Sequence, residues 1–120
     1  MIVGIGIDII EVDRVARLAE KSPRFLEKIF TPREIAYCSD KKNKQQNFAA
    51  RFAAKEAFFK ALGRRVGWKD AELVNRPSGQ PDLLIRKDLE KTFDRVHVSV
   101  SHLAAFAIAV VILEKQPDQT

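Results

Sequence analysis

This chain has few residues that could cross-link it, anchor it or divide it. One cysteine, Cys38, in 120 residues excludes an intramolecular disulfide and any cysteine-based zinc cluster, as suits a reducing compartment. Its plainest role is that of a small buried hydrophobe. No apolar run approaches the roughly 20 residues that a membrane-spanning helix needs. The N-terminal apolar run is broken by Asp8 and Glu11, so no signal peptide is expected and the protein is assigned to the cytoplasm, away from membranes. Repeats, low-complexity tracts and interdomain linkers are all missing. At 13.6 kDa, residues 1–120 are expected to form one domain.

What is present is ordinary in amount and uneven in placement. Hydrophobic residues make up 46% and charged residues 31%, the balance of a globular chain. The net charge of +5 is concentrated: residues 1–65 hold fourteen Lys/Arg against eight Asp/Glu, while residues 66–120 hold seven against eight. A basic half recruits an anionic partner, whether nucleic acid, a phosphorylated ligand, a membrane surface or an acidic protein.

The hydrophobic pattern predicts a mixed α+β domain with a mostly antiparallel sheet packed on a long Ala/Phe-rich helix. Residues 2–8 (IVGIGID) read as a buried strand. Helices are expected over about 11–20 and 23–29, and another after Thr31, with Thr at the N-cap, Pro32 at the first position and Glu34 at the third. The polar run 41–47 reads as a loop or helix entrance, and a long helix over about 46–62 stops at Gly63. Two short strands, 72–75 and 81–85, flank a Pro77-Ser78-Gly79 turn, and a hairpin-like pair follows at 96–101 and 106–113.

Candidate chemistry gathers on few of these elements. Asp8 shares strand parity with Gly4 and Gly6, so its face has room for a ligand or another backbone. A carboxylate there needs a cation, or else it caps the following helix with Glu11 three residues on. On the long helix Glu56 and Lys60 lie about 40° apart, amid Phe52, Phe59, Ala49 and Ala53. Apolar residues all round that helix imply packing on several sides, so Glu56 faces protein or ligand as readily as it forms a solvated pair with Lys60. Two carboxylates from separate elements suit a hard cation such as Mg²⁺, which completes its shell with water and substrate phosphate. A lysine one turn away can then neutralise phosphate charge. Arg14, Arg17 and Lys21 form one basic stripe, with Arg24 and Phe25 just beyond, which fits a solvated face or an acidic docking partner. His97, Ser99, Ser101 and His102 read as a polar edge facing solvent.

Three segments carry a family resemblance: GIGIDIIEVDRV (4–15), FAARFAAKEAFFKALG (48–63) and HVSVSH with AIAVVI (97–112). In this order they resemble the holo-(acyl carrier protein) synthases, the small single-domain class of 4′-phosphopantetheinyl transferases. The resemblance implies Mg-dependent transfer of phosphopantetheine from coenzyme A to a serine of apo acyl carrier protein, releasing adenosine 3′,5′-bisphosphate and serving fatty acid biosynthesis. It further implies Asp8 and Glu56 as Mg²⁺ ligands and Lys60 as the group that meets charge on the pyrophosphate. Lys42, Lys44, Arg51, Gly63, Pro81 and His102 would contact coenzyme A. Arg14, Arg24 and Phe25 would dock the acidic carrier protein, in agreement with the basic stripe that includes Arg17 and Lys21, and the assembly would be a homotrimer with shared active sites. Gln80 stands where a lysine is frequent in the family, and Arg64-Arg65 forms a basic turn to which the resemblance assigns no role.

Two other readings compete. A nucleic-acid-binding module fits the charge but expects aromatics among exposed basic residues, and here only Phe25 meets that description. An adaptor using the basic helix leaves Asp8 and Glu56 without a task.

Overall fold

A ten-residue strand, β1 (Ile2–Glu11), begins the chain in a computed structural model that describes residues 1–117. Four helices follow: α1 (Val12–Lys21), α2 (Phe25–Ile29), α3 (Pro32–Ser39) and the nineteen-residue α4 (Lys44–Leu62). Then come β2 (Ala71–Asn75), β3 (Pro81–Ile85), β4 (Arg95–His102) and β5 (Phe106–Glu114). All pairing is antiparallel, as expected, but the strands divide into two sheets: β1-β5-β4 and the hairpin β2-β3. No helix among the described residues is long and apolar enough to cross a membrane.

The first strand runs past Asp8. Its pairing with β5 continues through Asp8↔Ala109 and Ile10↔Ala107 to Glu11↔Phe106. Asp8 is therefore a mid-strand residue and not a helix cap; the residue before α1 is Glu11, whose side chain makes no capping bond. Strand alternation sends Gly4, Gly6, Asp8 and Ile10 to the inner face with Ala107, Ala109, Val111 and Leu113 of β5.

Helix α4 lies against that face, and the two glycines explain how closely. A Cβ on Gly6 would stand 2.7 Å from the Ala61 amide nitrogen and nearer still to the Ala57 carbonyl oxygen. A Cβ on Gly4 would meet the Ala61 carbonyl in the same way. The room predicted beside Asp8 is thus filled by helix backbone. Small residues on the helix side, Ala57 and Ala61, complete the fit. α4 ends where Gly63 takes φ = 82°, a left-handed C-cap whose amide donates to the Phe59 carbonyl at 2.9 Å.

A fully buried ion pair locks the far side of α4. Glu34 and Lys55 are both 0% exposed and 2.9 Å apart. Lys55 also donates to the carbonyls of Trp68 (2.8 Å) and Ala71 (2.6 Å). Glu34 accepts from the amides of Thr31 and Leu73, each at 3.0 Å, completing the capping box foreseen at Thr31. Every strong polar atom of the pair has a partner, which such burial demands. Burial still pushes the Lys55 ammonium below its ordinary pKa against the upward pull of Glu34.

The sheet's outer face is apolar and bare. Ile5, Ile7 and Ile9 are 65%, 57% and 62% exposed, beside Ile108 of β5. Such a patch on a small protein marks a surface meant to be covered.

Candidate active site

Close packing of α4 on β1 brings Asp8 and Lys60 together. The Lys60 ammonium donates to the Ile7 carbonyl (2.9 Å) and contacts the Asp8 carboxylate at 3.3 Å. Glu56, one turn back on the same side of α4, is bound not by Lys60 but by Arg65, at 3.2 Å. The simple Glu56–Lys60 surface pair is thus replaced by two cross-element pairs. Both carboxylates are sheltered, with side chains 16% and 18% exposed, while both cations are mostly in solvent. An aromatic shelf backs them: Trp68 packs against Phe52 and Phe59, each at 5.2 Å between centroids.

The remaining cofactor candidates gather elsewhere. Arg51 is 3% exposed, lies 4.4 Å over the Tyr37 ring, and donates to Asn75 Oδ1 at 2.7 Å. Its Nε has no partner although it is buried. This guanidinium borders a polar cavity of about 420 Å³ that Pro81, Ser101 and His102 also line. His102 does not face solvent with the rest of its strand edge. It turns inward, its Nδ1 2.7 Å from the Gln46 side-chain amide. Lys42 and Lys44 stand exposed at the entrance to α4, and Gly63 closes its other end.

Helix geometry shows why there are two groups. Arg51 and Lys60 are nine residues apart, about 180° around α4, and Arg51 and Glu56 about 140°. The helix therefore stands between a carboxylate–lysine side and an arginine–histidine side. On the sheet beneath, Asp8 and His102 lie on opposite edge strands, two strand spacings across and two residues out of register, about 12 Å apart.

The basic stripe is real and lies near the carboxylate side. Arg14, Arg17, Lys21 and Arg24 are exposed, and half-buried Phe25 stacks on Phe52 at 6.4 Å. Two residues of these groups carry no assignment from the sequence: Arg65 stands in a basic turn without a role, and Tyr37 gives no signal.

Comparison with known proteins follows the same lines. Residues 4–111 match the 4′-phosphopantetheinyl transferase superfamily, and the chain belongs to that family of enzymes. Among its relatives, the holo-(acyl-carrier-protein) synthase of Geobacter sulfurreducens is 46% identical, the match covering 96% of this chain and 99% of that one. The Bacillus anthracis holo-(acyl-carrier-protein) synthase, solved in complex with CoA (3′,5′-ADP), superposes with a TM-score of 0.84 at 40% identity, covering 97% and 99%. The Neisseria meningitidis enzyme of the same name gives 0.88 at 33% identity, covering 96% and 100%.

Proposed function

We propose that this chain is a holo-(acyl carrier protein) synthase, moving 4′-phosphopantetheine from coenzyme A to a serine hydroxyl of an acidic apo acyl carrier protein. The reaction forms a serine Oγ–phosphorus bond, breaks the pyrophosphate bridge, and releases adenosine 3′,5′-bisphosphate; the holo product supports fatty acid biosynthesis in the cytoplasm. The observation that carries this reading is the Asp8–Lys60–Glu56 constellation between β1 and α4.

The donor set fits Mg²⁺. Asp8 and Glu56 offer hard carboxylate oxygens from facing elements, sheltered by the fold and opposed only by exposed side chains that can leave. When bound, the ion would neutralise pyrophosphate charge and leave water and phosphate positions open. Lys60, fixed by the Ile7 carbonyl, places a positive charge where the leaving phosphate gains negative charge. Arg51, with a buried unpartnered Nε, and His102 form the wall for the adenosine phosphate end, approached past Lys42 and Lys44 and bounded by Pro81. Gly63 lets the backbone turn sharply at the other end of α4. Arg14, Arg17, Lys21, Arg24 and Phe25 receive the carrier protein beside the aromatic shelf.

Because one helix separates the two groups, a complete site is best made by two chains. The bare Ile5/Ile7/Ile9 face supports a homotrimer of about 41 kDa, three times 13.6 kDa. Light scattering showing a fully active monomer overturns this assembly. The reaction itself is tested by the mass of apo carrier protein after incubation with coenzyme A and Mg²⁺. A phosphopantetheine adduct is expected, and Asp8→Asn or Glu56→Gln should slow its formation at least about 10²-fold. The double variant should be little worse than either single one, since each loss already weakens the same metal site. No adduct from the wild-type chain, or normal turnover by Glu56→Gln, defeats the proposal.

A further inference from the structure

Arg65 is the charged residue of the carboxylate side to which the proposed reaction gives no task. Its Nη2 lies 3.2 and 3.4 Å from the two Glu56 oxygens, so one guanidinium nitrogen spans the whole carboxylate. Its Cζ sits 5.5 Å from the Phe59 ring centroid and 5.7 Å from that of Trp68. Unlike Lys60, Arg65 is not on the helix. It follows the left-handed turn at Gly63 and its side chain is 66% exposed, so it can leave without disturbing the core.

We infer that Arg65 is a resident counter-ion of Glu56 that an incoming divalent cation must displace, making it a loading latch on the metal site. The inference rests on the reading of Asp8 and Glu56 as metal ligands. The carboxylate lone pairs that Arg65 engages are those a hard cation requires, and the two positive charges also repel across so short a gap. The aromatic shelf gives the guanidinium a place to stay near the site once it is off the carboxylate, since cation–ring attraction does not depend on Glu56. An exposed ion pair is weak, so the latch tunes metal affinity without abolishing it.

The sole tryptophan, Trp68, makes this visible without turnover. The protein is titrated with Mn²⁺ alone, counting free ion by its electron paramagnetic resonance signal, and separately with Mg²⁺ alone, following Trp68 emission. Wild type should show a saturable emission change as Arg65 shifts over the ring. Arg65→Ala should lose that change and bind Mn²⁺ about two- to fivefold more tightly. Arg64→Ala removes the same charge from the neighbouring position and should stay near wild type in both. Equal Mn²⁺ affinity in wild type and Arg65→Ala overturns the latch, as does equal tightening in Arg64→Ala, which would mean general charge and not displacement. If Glu56→Gln binds Mn²⁺ like wild type, the metal-site reading has failed and the latch falls with it. Loss of binding in Glu56→Gln, with Arg65→Ala unchanged, removes the latch alone.

Discussion

Adding one methyl group at Gly6 should separate the site while leaving most of the fold in place. In Gly6→Ala the new Cβ would lie 2.7 Å from Ala61 N, so reaching ordinary contact at 3.4 Å takes at least 0.7 Å of retreat. The nearer Ala57 carbonyl oxygen demands more. Both obstacles are backbone, so no side-chain rotation relieves them and α4 must move as a body. Overpacking of this kind costs about 1–3 kcal/mol of stability. The retreat carries Lys60 away from Ile7 and Asp8, and displacements near 1 Å at a positioned site can cost about 10²-fold in rate. Thermal unfolding and kcat for phosphopantetheine transfer, measured together, should thus show a modest fall in Tm and a large fall in kcat. Ala57→Gly on top should not rescue either, because it removes a side chain that is not the obstacle. A Gly6→Ala protein with wild-type Tm and kcat, or rescue by Ala57→Gly, would refute the backbone-contact argument.

Lys55→Met should destabilise the protein by about 3–5 kcal/mol in urea, leaving Glu34 charged and buried, whereas pairing it with Glu34→Met should recover only part of the loss, because the amides of Thr31 and Leu73 then lack their acceptor. If the double variant is as unstable as the single one, the pair itself is holding the fold. Arg14→Glu and Arg24→Glu should each raise KM for apo carrier protein about five- to tenfold with coenzyme A binding unchanged, and added salt should mimic them; an unchanged KM moves the docking surface elsewhere. Burial pushes the Cys38 thiol from its ordinary 9.0 up to about 11. A raised folded-state value means that its contribution is complete below about pH 9 and is lost as pH climbs through about 11. Cys38→Ala should therefore lose less stability over that window, by about 3 kcal/mol at most; parallel curves would contradict the shift.

Much of the candidate site is legible because its residues announce themselves locally. Asp8 is a charge in an apolar strand, and Glu56 and Lys60 share one side of a helix otherwise filled with Ala and Phe. The Thr31–Glu34 capping box was readable for the same reason, since all its bonds form within four residues. What escaped depends on contacts distant in sequence. That Glu34 also serves Lys55 and the Leu73 amide cannot be known before α3, α4 and β2 are packed. Glycine parity pointed to a close approach at Asp8 but could not say whether ligand or backbone made it; Ala57 and Ala61 answer that. His102 does not belong with His97, Ser99 and Ser101: alternation places it on the other face of β4, with Val96, Val98 and Val100, where Gln46 meets it.

Arg51 and Lys60 leave α4 in opposite directions, and if neighbouring subunits complete each site this has a genetic meaning. One null allele can damage the carboxylate side, as Glu56→Gln does, and another the arginine side, as Arg51→Ala would. Neither product would transfer phosphopantetheine alone. Expressed together, their products mix at random in the ring, and about a quarter of the junctions unite two undamaged halves. The gene would then show complementation between alleles of a single locus, and the pairs of mutations that complement would map which residues meet across a subunit boundary.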